Sequence, residues 1–148
     1  MKLSEFLVLA KRETYANASA SSATLADGSK ELTFTIGNYS YRDRYLGDQA
    51  FLGEEVVFKD GKAVWGMNYY GVSLTENPSP AEIGQFLKSA LSEVSEEIPF
   101  RGPLFHKIQD FEYHNHVVGT VDSFSGDEDI CFQDQRVYYL HYHGGLIH

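Results

Sequence analysis

At 148 residues the chain has the size of one domain and is long enough to bury a sizeable core. Apolar residues make up 43% and aromatic residues 14%, which excludes a disordered chain. Twelve basic against 21 acidic residues leave a net charge of −9 with no basic run. That balance excludes direct nucleic acid binding, which depends on neutralising phosphates with Lys and Arg.

Cys131 is the single cysteine, so no intramolecular disulfide can form, as expected of a cytoplasmic protein. The apolar run after Met1 is too short for a signal peptide and Glu5 interrupts its approach. No stretch approaches membrane-spanning length, so no membrane partner is expected.

In chain order, Leu3, Phe6, Leu7 and Ala10 recur at helical spacing, with Ser4 as a cap, and predict an amphipathic helix over about 4–15. The Ala/Ser/Asn-rich residues 17–22 read as a mobile loop. Leu32, Phe34 and Ile36 alternate with polar residues in a half-buried strand. After Gly37-Asn38, Tyr39, Tyr41, Asp43 and Tyr45 share one face of the next strand, with Arg42 and Arg44 on the other. Asp60-Gly61 marks a two-residue hairpin turn, in which both residues need positive φ. Ser79-Pro80-Ala81-Glu82 opens a second helix as a capping box, followed by the apolar stripe Ile83, Phe86, Leu87, Ala90, Leu91 and Val94. Pro99, Gly102 and Pro103 make a connection to a strand in which Phe111, Tyr113, Asn115 and Val117 alternate with Glu112, His114, His116 and Val118. A second hairpin covers 127–143.

Residues 53–71 align without a gap on residues 126–144, at a constant offset of 73. Identities fall at Gly53/Gly126, Glu55/Glu128, Val64/Val137, Tyr69/Tyr142 and Gly71/Gly144. The repeat predicts an internally duplicated α+β domain with halves of about 1–73 and 74–148. Its two amphipathic helices would pack on one curved, mostly antiparallel sheet of six or seven strands, with a barrel as the alternative.

Pairing each hairpin directly across its turn places Glu55 opposite Gly66, on one face with Asn68 and Tyr70; the matching face holds Glu128, His141 and His143. Trp65, Met67, Tyr69, Tyr138, Leu140 and Tyr142 then form the packing side. Glu55, Asn68, Tyr70, Glu128, His141 and His143 are accordingly the candidate ligand-binding residues. His114-Asn115-His116 and His141-Tyr142-His143 each present two imidazoles on one strand face, spaced to converge on zinc or another transition metal, with Glu128 as a further ligand. Tyr39 to Tyr45 offers aromatic rings with interleaved charges, suited either to a sugar or planar ligand or to a strand with Tyr inward and Arg outward. Asp43 and Glu55 are a candidate carboxylate pair. Cys131, between Ile130 and Phe132, reads as a buried, inert thiol.

The strings Tyr41-Arg42-Asp43-Arg44-Tyr45-Leu46-Gly47, Gly53-Glu54-Glu55-Val56-Val57, Trp65-Gly66-Met67-Asn68-Tyr69-Tyr70-Gly71 and Leu140-His141-Tyr142-His143-Gly144-Gly145 resemble a bacterial family, domain of unknown function 5680. Its members occur alone or fused behind helix-turn-helix regulators. The resemblance implies a ligand-sensing or regulatory role and no assigned catalytic residues. No helix-turn-helix segment is expected ahead of the domain in this chain.

The first functional expectation is therefore a non-enzymatic, sensor-like small-molecule-binding domain, alone or as a homodimer. The alternative is a metal-dependent hydrolase or lyase using the paired histidines, and the third reading is a protein-interaction module.

Overall fold

The computed structural model describes residues 1–17 and 20–148. The loop expected over 17–22 falls in part on residues 18 and 19, outside the described residues.

Helix α1 (Leu3–Glu13) buries Phe6, Leu7 and Ala10, as its spacing requires. It begins one residue earlier than expected and ends two residues sooner. Ser4 lies inside the helix, and the Glu5 carboxylate reaches back to accept the Lys2 backbone N–H at 2.7 Å. Helix α2 (Pro80–Leu91) follows the predicted cap: Ser79 Oγ accepts the Glu82 backbone N–H, and Pro80 occupies the first turn, where no intrahelical N–H is needed.

Among the described residues there are nine strands in one sheet, not six or seven. The first five are β1 (Ala23–Thr24), β2 (Lys30–Ile36), β3 (Tyr39–Gly47), β4 (Ala50–Lys59) and β5 (Lys62–Ser73). After α2 come β6 (Phe105–Ile108), β7 (Phe111–Thr120), β8 (Ser123–Phe132) and β9 (Gln135–Leu146). The two additional strands, β1 and β6, are the sheet edges, of two and four residues, and are too short to show an alternation. The order is β1-β2-β3-β4-β5-β9-β8-β7-β6, antiparallel throughout, so the sheet is open and not a closed barrel.

The hairpin turns form as predicted. Asp60 and Gly61 have φ of 51° and 77°, and Gln133 and Asp134, at the equivalent turn, have 49° and 64°. One feature of the hairpins overturns the expected faces. Phe58 pairs with Ala63 but Val57 pairs with Trp65, so Val64 is bulged out and the register shifts by one. Val137 is bulged in the same way between Cys131↔Arg136 and Ile130↔Tyr138. A one-residue shift exchanges the faces relative to the partner strand. Glu55 therefore stands opposite Met67, and Glu128 opposite Leu140.

Both carboxylates consequently lie on the packing side, with Trp65, Met67, Tyr69, Tyr138, Leu140 and Tyr142, in the core where α1 and α2 meet the sheet. Asn68, Tyr70, His141 and His143 occupy the opposite, outer face and are exposed. The core cluster joins Trp65, Met67, Tyr69, Tyr138, Leu140 and Tyr142 to Phe6, Leu7 and Ala10 of α1 and to Ile83, Phe86 and Ala90 of α2.

Candidate functional site

The packing side is not wholly apolar. Lys11 continues the buried stripe of α1, one turn beyond Leu7, and is 0% exposed. Its Nζ donates to Glu55 Oε1 at 2.8 Å and to the Phe100 carbonyl. Burial drives the Lys11 pKa down, against the opposing pull of Glu55.

A second pair mirrors this one. Arg101, in the connection between α2 and β6, donates through Nε at 3.2 Å and Nη2 at 2.6 Å to Glu128 Oε1. Glu128 also accepts the Tyr138 hydroxyl at 2.9 Å and the Tyr113 hydroxyl at 2.5 Å. The neighbouring Gly102 donates its N–H to Tyr113 Oη and accepts from Asn115 Nδ2 at 3.0 Å. Residues 100–102, which read in the sequence as a mere connection, thus join both halves of the sheet to α1. Charges buried this deeply persist only when paired and hydrogen-bonded.

Asp43 is different. It lies on β3 directly opposite Glu55 and is 3% exposed. Its Oδ1 accepts the Tyr69 hydroxyl at 2.5 Å. Among the described residues no Lys, Arg or His forms an ion pair with it. Burial, and then the charge of Glu55, push its pKa up from the ordinary 3.8 to about 7, against the Tyr69 hydrogen bond and the more distant Arg101 and Lys11. This carboxyl therefore exchanges its proton near neutrality.

Asp43, Tyr69 and Arg101 floor a cavity of about 320 Å³ on the helix side of the sheet, at the lower end of the range for small-molecule sites. Tyr15, Tyr45, Phe51 and Leu87 contribute its walls. The Tyr15 hydroxyl is buried with no hydrogen-bond partner among the described residues. Gly84 of α2 also borders the cavity, and a Cβ there would meet nothing within 4 Å. Glycine inside a helix costs about 1 kcal/mol relative to alanine. No close packing accounts for it; what it leaves is open space at the border of the cavity.

The six expected binding residues do not come together. Glu55 and Glu128 are sealed in the core at 0% exposure, each committed to its cation. Asn68, Tyr70, His141 and His143 meet across β5 and β9, where they line an outer-face groove of about 530 Å³ with His116 and Asp127. The two His-x-His units are separated by β8, so each imidazole of β7 faces a carboxylate. His114 Nδ1 lies 2.9 Å from Asp129 Oδ1, and His116 Nδ1 lies 4.0 Å from Asp127 Oδ2.

Cys131 is half-buried on this outer face and not in the core, again because of the shifted register. With His114 and Asp129 it forms a group whose ligand atoms all lie within 4.8 Å of one another. Burial first, and then Asp129 and Glu112, raise its thiol pKa.

Sequence reasoning placed Asp43 on the correct strand face but missed Lys11, Arg101 and Tyr15. The signal for Lys11 was present: a lysine four residues after Leu7 in an apolar stripe breaks the pattern of an exposed basic residue. Arg101 was signalled only by its position between Phe100 and Gly102.

No curated protein and no solved structure matches the chain. The family model described as Domain of unknown function (DUF5680) matches residues 43–147, from Asp43 on the cavity floor to the strand that completes the sheet, and the chain belongs to that family.

Proposed function

We propose that the protein is a small-molecule-binding, sensor-like domain and that its ligand occupies the cavity between α2 and the sheet. The observation that carries this reading is Asp43, a buried carboxyl without an ion-pair partner among the described residues, on the floor of an aromatic-walled cavity. The Tyr15 hydroxyl, without a hydrogen-bond partner among the described residues, and the space beside Gly84 support it. This moves the site from the hairpin face expected from sequence to the opposite side of the sheet.

The test is a metabolite screen by thermal shift, repeated on Gly84→Leu, which projects a side chain into the cavity. A compound that stabilises the native protein and fails to stabilise the variant supports the site. Equal stabilisation of both places the ligand elsewhere.

A second reading, metal-dependent chemistry, is favoured by the His114, Asp129 and Cys131 group, whose ligand types suit zinc. Elemental analysis of untagged protein tests it. One zinc per chain that is lost in His114→Ala supports this reading; no uptake after incubation with zinc removes it.

Internal duplication is also part of the proposal. Matching bulges at Val64 and Val137 support it, as do Gly53 and Gly126, which lie under the rings of Tyr69 and Tyr142 with no room for a Cβ.

A further inference from the structure

Resting on the cavity as the binding site, we infer that its ligand carries a protonated amine that seats against Asp43. Among the described residues three carboxylates and two cations are buried between the helices and the sheet. Glu55 takes Lys11 and Glu128 takes Arg101, with contacts of 2.8 and 2.6 Å. Asp43 is left without a cation, next to Glu55, and its carboxyl borders the cavity. Ionised Asp43 therefore leaves the buried cluster one negative charge in excess, and an ammonium group restores neutrality.

The surroundings suit that head group. Tyr15, Tyr45, Phe51 and Tyr69 line the same cavity, and aromatic faces attract cations. The Tyr15 hydroxyl, buried in the same wall without a hydrogen-bond partner among the described residues, is a further oxygen that an ammonium N–H can engage. An anionic ligand would instead lie beside a carboxyl that already resists ionisation, next to a guanidinium whose Nε and Nη2 are already engaged by Glu128. The exposed mouth is mixed in sign, with Lys30, Lys88 and Asp48, so the floor decides the preference.

Binding is coupled to a proton. The groups acting on Asp43 are Lys11 of α1, Glu55 of β4, Tyr69 of β5 and Arg101 after α2, with Lys30 of β2 and Lys88 of α2 at the rim. An incoming ammonium adds a positive charge to this set and favours ionised Asp43, so the protein releases a proton when the amine binds near pH 7.

The experiment titrates matched amine, alcohol and carboxylate triples on benzyl, phenethyl and cyclohexylmethyl frames into the full chain, followed by two-dimensional NMR at pH 7. Expected are saturable shifts at Tyr45, Leu87 and Gly84 from at least one amine, with affinity tenfold or more above its alcohol and carboxylate. Asp43→Asn should erase that preference. Should that variant fail to fold, calorimetry of the native protein in phosphate and in Tris replaces it, the difference in heat reporting the released proton. Alcohols or carboxylates that bind the cavity as well as their amines overturn the cationic head group and leave the cavity as a binding site. No cavity shift from any member of the triples overturns both.

Discussion

Tyr69 and Tyr142 face one another across the β5–β9 pair, yet their hydroxyls end on different chemistry: Asp43 Oδ1 in one case, and Asn115 Oδ1 at 2.7 Å in the other. Asn115 is locked further by the Gly102 carbonyl, whereas Asp43 borders open space. An amide carries no charge at any pH. The two positions are thus a structural tie on one side and a titrating group on the other.

Asp43 makes stability depend on pH in a defined direction. Its carboxyl titrates at about 7 in the fold against 3.8 ordinarily, so the folded state holds the proton longer. Its contribution is fully present below the unfolded value, is lost as pH rises toward the folded value, and is level above it, with a total loss of about 4 kcal/mol. Urea denaturation at pH 4 and pH 8 should therefore show Asp43→Asn gaining on the native protein by a few kcal/mol. A difference that does not change with pH means that Asp43 titrates as an ordinary surface carboxyl.

Breaking the Lys11–Glu55 pair from one side should be far worse than removing both partners. Lys11→Met strands the Glu55 carboxylate in the core and should cost about 3–5 kcal/mol. Lys11→Met with Glu55→Leu should recover most of that loss, since Glu55 Oε2 already lacks a partner among the described residues. Equal losses in the single and double variants would mean that packing, and not charge pairing, sets the cost.

Glu128→Ala should behave as a folding defect. It removes the acceptor for Arg101, Tyr113 and Tyr138 together and should cost about 3–5 kcal/mol in chemical denaturation. His141→Ala, on the exposed outer face, should stay within about 0.5 kcal/mol of the native protein. Similar effects of the two changes would contradict the faces described above.

Gly84→Ala should raise stability by about 0.5–1 kcal/mol, because the helix gains propensity and the added methyl meets no neighbour. A lower melting temperature would show that α2 needs glycine there for its backbone.

The sequence conveyed most of the framework. The alternation through Tyr39, Tyr41, Asp43 and Tyr45 placed that strand's inner face, and Ser79-Pro80 with Asp60-Gly61 located a helix start and a turn. The candidate site was less legible, for a specific reason. A bulge adds one residue without a compositional mark, and a single-residue shift at Val64 and at Val137 exchanged the faces of both hairpins. Glu55 and Glu128 moved from an open surface to the core, and the histidines moved away from them. The partners that make those carboxylates tolerable, Lys11 and Arg101, are 44 and 27 residues distant in sequence, and spacing carries no sign of such contacts.

The position of β9 carries a consequence for how the chain is made. The ninth strand in chain order is seated in the middle of the sheet, between β5 and β8. Until it emerges from the ribosome, the five-stranded meander ends on a bare β5 edge, and β6 to β8 have nothing to join. Completing the whole sheet waits for this one pairing between strands distant in sequence, and until then the β5 edge is open to aggregation.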